Sequence, residues 1–226
     1  NAMKNYVEKN GGEFRLSSPV DKIVMDKKSV KGIESKGTFE EYEKVISTIP
    51  LPLVAKIAPD LPKDIHEKYS SKINIGCVCV IVKLNKPLTN NFWLNTNDDA
   101  MDIPGIIEYS NLNTEVGNIV YVPYYMPQTN PKFKDSDETF KEKVSKYFKT
   151  INPSLKDDDI KDIRVHRYYF SQPICQPNFM DTLPDAKIPI DGLWIADTSH
   201  YYPEDRGISE SIGYGRKLVK RIINGE

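Results

Sequence analysis

The stretch that most constrains this chain lies near its carboxyl end, at residues 191–223, DGLWIADTSHYYPEDRGISESIGYGRKLVKRII. It reads as three pieces. Residues 192–197 are a short apolar run closed by an acid, and residues 198–207 are polar and aromatic. From Ile208 the apolar residues Ile212, Val219, Ile222 and Ile223 follow at offsets of 4, 11, 14 and 15, which is a helical stripe. Arg216, Lys217, Lys220 and Arg221 sit in its second half, where cations suit the dipole, and Asn224-Gly225 ends it. The unit is strand, acid, loop, helix N-terminus. Free N–H groups at that N-terminus favour an anion or a polarised carbonyl, and Asp197 at the strand's end can accept a bond from a ligand hydroxyl. A strand and helix packed together with no ligand is the plain alternative. Two sharper motifs fail. Gly213-Tyr214-Gly215 lies inside the helical stripe rather than in a strand-to-helix turn, and residues 207–211 end in serine where a hydrolase elbow needs glycine.

The 226 residues suffice for one large domain or two small ones. A net charge of −1 points to neither nucleic acid nor an anionic membrane surface. The longest apolar run, residues 75–82, is far too short to span a bilayer. No signal-peptide pattern opens the sequence, and Asn1-Ala2 before Met3 resembles a tag-cleavage scar. The reading is therefore a reduced, cytoplasmic protein. Cys77 and Cys79 share one face of a strand, are poorly placed to bridge, and read as small buried residues. His66, His166 and His200 show no metal-ligand spacing, so no metal is expected.

Along the chain, residues 11–50 are strand-rich. Phe14 and Leu16 alternate with charges, runs follow at 20–25 and 29–35, and VISTIP at 45–50 is a buried-looking strand stopped by Pro50 and Pro52. Residues 51–71 hold two short helical patches. Residues 73–84 form a long, nearly continuous apolar strand that belongs inside a sheet. Further strands are predicted at 92–94, 105–110, 118–126 and 161–170. Residues 135–151 are the clearest internal helix, with Asp135 and Glu138 as a capping-box-like start. Residues 171–189 are a proline-rich loop. Aromatics gather in the middle, at Phe92, Trp93, Tyr121, Tyr124, Tyr125, Tyr168, Tyr169 and Phe170. They suit a substrate pocket, or simply the preference of aromatic rings for strands.

The carboxyl-terminal unit resembles the flavin-binding motif of FAD-dependent amine oxidase and protoporphyrinogen oxidase-like proteins, in which a GLWxAGD-like strand precedes a loop and a helix. That resemblance implies that Asp197 holds the ribityl chain and that Gly207, Ile208 and Ser209 face the pyrimidine edge of the flavin. Ala196 stands where many members have glycine, and the helix start is bulkier than usual. GGEFRLSSPVDKI and YEKVISTIP resemble the stretch that completes the FAD domain, which implies Val20 near the adenine end and Thr48 and Pro50 in a loop along the cofactor. The fold implied is α+β. A mixed or antiparallel substrate-domain sheet backed by helices occupies residues 51–184. A β-meander and a C-terminal strand-helix at 1–50 and 185–226 complete a truncated FAD domain.

The family's strand–G-x-G-x-x-G–helix element is absent from this sequence. The chain thus reads as the C-terminal part of a flavin oxidoreductase, with hydride passing from a small-molecule substrate to FAD. FAD retention and activity are not expected of it alone. The missing N-terminal half would leave an apolar surface open, which could drive homodimerisation. No side chain can be named as a catalytic base. The competing readings are a non-catalytic binding or assembly module and a sugar-nucleotide mutase-like fragment. The latter would want an arginine pair facing a diphosphate, for which Arg164 and Arg167 are the candidates although their spacing puts them on opposite strand faces.

Overall fold

The computed structural model describes residues 2–226; Asn1 lies outside the described residues, and Ala2 opens a helix. In chain order the elements are α1 (Ala2–Lys9), β1 (Lys22–Met25), β2 (Val30–Ser35), β3 (Thr38–Glu41), β4 (Val45–Ser47), α2 (Leu51–Ile57), α3 (Lys63–Ser70), β5 (Asn74–Leu84), β6 (Trp93–Asn95), β7 (Gly105–Glu108), β8 (Asn118–Met126), α4 (Asp137–Ile151), β9 (Ile160–Pro173), α5 (Phe179–Thr182), β10 (Leu193–Ile195) and α6 (Ile208–Asn224). The fold is α+β, as the sequence predicts. It divides into two compact units, one running through Lys72 and resuming at Cys175, the other Ile73–Ile174.

In the first unit β1, β2 and β3 form an antiparallel meander, and β4 pairs in parallel with β10, Val45 opposite Leu193 and Ser47 opposite Ile195. All three residues of β10 are buried, because the pair is covered on both faces. Leu193 and Ile195 join Leu51, Val54, Ile65 and Tyr69 of α2 and α3 in one apolar cluster, whereas Trp194 and Ala196 face Leu218 of α6. That cluster draws residues 51–72 into this unit, so its joints fall at 72/73 and 174/175 rather than at 50/51 and 184/185. Gly192 sets up β10. Its φ is +77°, and a Cβ there would meet the Glu43 carbonyl oxygen at 2.2 Å. The predicted first strand does not form. Phe14 and Leu16 are 46% and 79% exposed, and with no neighbouring strand to pair with, their alternation leads nowhere.

The second unit is a five-stranded antiparallel sheet in the order β6-β7-β8-β5-β9, with β5 inside it as predicted. Val78, Val80 and Val82 of β5 and Val120 and Val122 of β8 are fully buried with Phe140, Val144 and Phe148 of α4, which covers that face. The α4 cap differs from the expectation. Ser136 is the N-cap, its Oγ accepting the Thr139 amide at 3.1 Å, and not Asp135, whose carbonyl instead takes the Arg167 guanidinium. Glu108 is wholly buried. Its carboxylate accepts the Leu88 and Thr89 amides at 2.8 and 2.7 Å and so anchors the turn into β6.

Candidate functional site

The parallel pair of the first unit sends both its strands out at the same edge, the geometry in which α/β sheets place ligands. The Ala196 amide donates to the Ser47 carbonyl at 3.0 Å, so Thr48 and Asp197 leave the sheet side by side. From β4 the chain runs through Thr48-Ile49-Pro50 into α2, with Pro50 as the N-cap and no side chain of its own to offer the helix. Asp197 supplies what is missing. Its Oδ2 accepts the Leu51 amide at 3.0 Å and its Oδ1 the Ser199 amide at 2.9 Å, so one carboxylate caps α2 and the 3-10 turn at residues 198–201.

His200 completes this knot. Its Nδ1 lies 3.1 Å from the Asp197 amide nitrogen and 3.5 Å from the Asp197 carboxylate, and its Nε2 lies 3.2 Å from the Pro184 carbonyl oxygen. Asp197 is 8% exposed. Burial by itself would raise its pKa. The contact with His200 and the Leu51 and Ser199 amides outweigh that and hold the acid below the usual carboxylate range. The Ser199 side chain bonds the same carboxylate. The sequence reading passed over His200 and Ser199. The signal was the Asp-x-x-His spacing, a reciprocal capping box written with histidine in place of glutamate.

Val20 and Thr48 meet in one pocket of about 330 Å³, lined also by Ile23, Ile33, Tyr42 and Val45. Pro50 does not line it. The pocket is mostly apolar and large enough for a flat ring. Gly207, Ile208 and Ser209 form the start of α6, whose first turn meets the turn that Asp197 caps, the Tyr201 hydroxyl donating to Ser211 Oγ at 3.1 Å. Gly207 is the N-cap and offers no side chain, and Glu210 folds back so far that a Cβ on Gly207 would meet its Oε2 at 2.0 Å. A carboxylate there sits where the helix dipole favours negative charge. The seven predicted residues therefore fall into three groups, of which Thr48, Pro50 and Asp197 share the carboxyl edge.

Of the helical stripe of α6, Ile222 packs inward and the other four residues are exposed. Ile208, Ile212, Val219 and Ile223 are 81%, 46%, 48% and 77% exposed, and it is Leu218, with Tyr214 and Ile222, that packs on Trp194. Those four residues and the buried face are roughly a quarter turn apart on the helix. Gly215 lies in the middle of the stripe, with nothing within 4 Å of where its Cβ would be.

In the second unit the register sorts the aromatics. Tyr124 lies in the core, edge-on to Phe140 at 5.2 Å. On the face away from α4, Tyr121 and Arg164 flank Ile81, Pro123 and His166 flank Cys79, and Tyr125 and Tyr168 flank Cys77. Trp93 extends the first of these rows through Ile107. The two cysteines share this face as expected, and burial pushes the Cys79 thiol up to about 11, far from a reactive thiolate. Arg164 and Arg167 do lie on opposite faces. Arg167 is held beneath α4 by Asp137 at 2.6 Å and the Phe133 carbonyl at 3.1 Å, so the two do not converge on a diphosphate.

The sequence model of flavin containing amine oxidoreductases matches residues 1–181. No curated protein matches the chain. Among solved structures it is similar to a candidate protoporphyrinogen oxidase from Exiguobacterium sp. 255-15, at 13% identity and a TM-score of 0.75, over 100% of this chain and 51% of that one. It is similar to a CLA-producing fatty acid isomerase from P. acnes at 12% identity and a TM-score of 0.66, over 97% and 51%. It is also similar to a reduced UDP-galactopyranose mutase at 14% identity and a TM-score of 0.59, over 80% and 40%. The chain thus spans about half the length of the solved structures it matches. An oxidase, an isomerase and a mutase on one fold leave the chemistry to the residues each chain places on it. Among the described residues no helix is long and apolar enough to cross a membrane.

Proposed function

This chain belongs to the flavin containing amine oxidoreductase family, and on that premise we propose that its first unit completes an FAD site while its second presents the substrate. The reading is that of a flavin-dependent oxidoreductase whose remaining part carries the glycine-rich dinucleotide element. FAD, when bound, supplies the hydride acceptor. In this reading Asp197 orients a hydroxyl-bearing chain at the carboxyl edge of β4 and β10, and Val20 and Thr48 border the pocket for the flat adenine end. Gly207, Ile208 and Ser209 offer backbone N–H groups to a ring carbonyl. Thr48, Pro50 and Asp197 leaving one edge of the parallel pair is the observation that carries the proposal.

The residues present fit part of the cofactor. The apolar pocket suits a flat ring, and a buried acid kept ionised suits a polyol. Among the described residues no glycine-rich turn joins a strand to a helix in position to cradle a diphosphate. The chain by itself should therefore hold FAD weakly and be inactive. Titration of the isotopically labelled chain with AMP, FMN and FAD, followed by amide NMR, tests both claims. AMP should shift Val20 and Thr48, FMN should shift Asp197 and residues 207–209, and FAD should bind with no better than about millimolar affinity. Tight FAD binding would overturn the half-site claim. Millimolar ligands that leave these amides unmoved would overturn the flavin assignment.

The exposed stripe of α6 belongs to the same proposal. A row of isoleucines and a valine, open at Gly215 to close approach by another helix, is what a missing helix of the FAD domain would cover.

A further inference from the structure

We propose that the open face of the five-stranded sheet takes a hydrophobic monocarboxylic acid in preference to an amine, with Arg164 as the carboxylate's partner. The proposal rests on reading that face as the substrate surface and names the substrate's chemistry. Alternation along β5 separates its two faces, Val78, Val80 and Val82 going under α4 and Cys79 and Ile81 going to the open side. Cross-strand pairing extends Ile81 by Tyr121 on one side and Arg164 on the other. Cys79, Ile81, Tyr121 and Pro123 make a half-buried, largely apolar floor beside the exposed His166 and Tyr168, so a ligand with an apolar body gains by covering it.

The charges stand at one end. Lys83 and Arg164 are at open register positions there, against a single acid, Asp162. Arg164 gives its Nε to Asp162 at 2.8 Å, and among the described residues no other contact engages its Nη atoms. A guanidinium with free donors at the rim of an apolar floor matches a carboxylate. An ammonium in the same place would meet two cations and no unpaired acid. The exposed tyrosine rings attract cations, but only weakly in water. From Lys83 to the far end of the floor at Cys77 is about 20 Å, long enough for an extended alkyl chain.

The test uses three probes of one length, decanoate, decylamine and decanol, below their aggregation concentrations. Binding is read from the fluorescence of Trp93, which is 55% exposed in the first row, with Trp93→Phe identifying its signal. Decanoate should bind more tightly than decylamine by about tenfold, and Arg164→Gln should bring the two within about twofold while decanol is unchanged. Equal or tighter binding of decylamine, a preference that survives Arg164→Gln, or binding of none of the three would each overturn the proposal. Nucleotide titrations report on the flavin site separately. A carboxylate preference with no nucleotide response would sink the flavin reading alone, and a nucleotide response with no carboxylate preference would sink this one alone.

Discussion

At the scale of single residues, Asp197 ties together parts of the chain 146 positions apart, because its carboxylate caps a helix that begins at Leu51. Asp197→Ala should cost about 2 kcal/mol, through two lost caps and the buried amides left without acceptors, measured by urea unfolding. The pH dependence follows from the direction of its shift. The folded-state pKa is depressed, so the unfolded chain takes up the proton first. The stabilisation is present above the ordinary carboxylate value of about 4 and is lost as pH falls through the lower, folded-state value. Asp197→Asn should flatten that acid limb, and an unchanged limb would place the titration elsewhere. Gly192 is the second such point. Gly192→Ala asks alanine to hold φ +77° with its Cβ against the Glu43 carbonyl, and a loss of about 2 kcal/mol or more is expected in the same assay.

At the scale of elements, α4 and α6 answer mutation in opposite ways. Phe148 of α4 is fully buried over β5, so Phe148→Ala should destabilise by about 3–5 kcal/mol, seen as a lowered urea midpoint. Ile212 and Ile223 of α6 are exposed. Replacing each with lysine should leave stability within about 0.5 kcal/mol. The same two changes should weaken whatever association the stripe supports. If copies of the chain pair through it, sedimentation velocity will show the parent dimerising at concentrations where the double variant is monomeric. If it awaits the rest of the FAD domain instead, the isolated chain will sediment as a monomer in both forms.

At the scale of the molecule, the two units divide labour between cofactor and substrate in the proposed reading, and each has its own apolar cluster. In that reading the first unit is the one that shares its site with the glycine-rich half. Its parallel pair has two strands, and parallel sheets are ordinarily buried and larger. A longer protein that includes a glycine-rich half should bind FAD tightly, with a visible absorbance band, and this chain by itself should not. The comparison isolates what that half contributes to the site.

Much of this was legible in local pattern. The strand at 193–195, the acid after it, the α6 helix and the inner strand β5 all follow from periodicity and stop signals, because those signals act over a few residues. Helix α4 was also found, although its cap lay one residue away, at Ser136. What local pattern could not decide was which face would be covered. The isoleucine stripe of α6 reads as a core face, yet the fold packs α6 through Leu218, a quarter turn away. Phe14 and Leu16 alternate like a strand, but a strand exists only where another pairs with it. The acid and its helix show the same division. Asp197 stands out from its position after an apolar run, whereas its partnership with Leu51 exists only because β4 and β10 pair in parallel and bring distant segments to one edge.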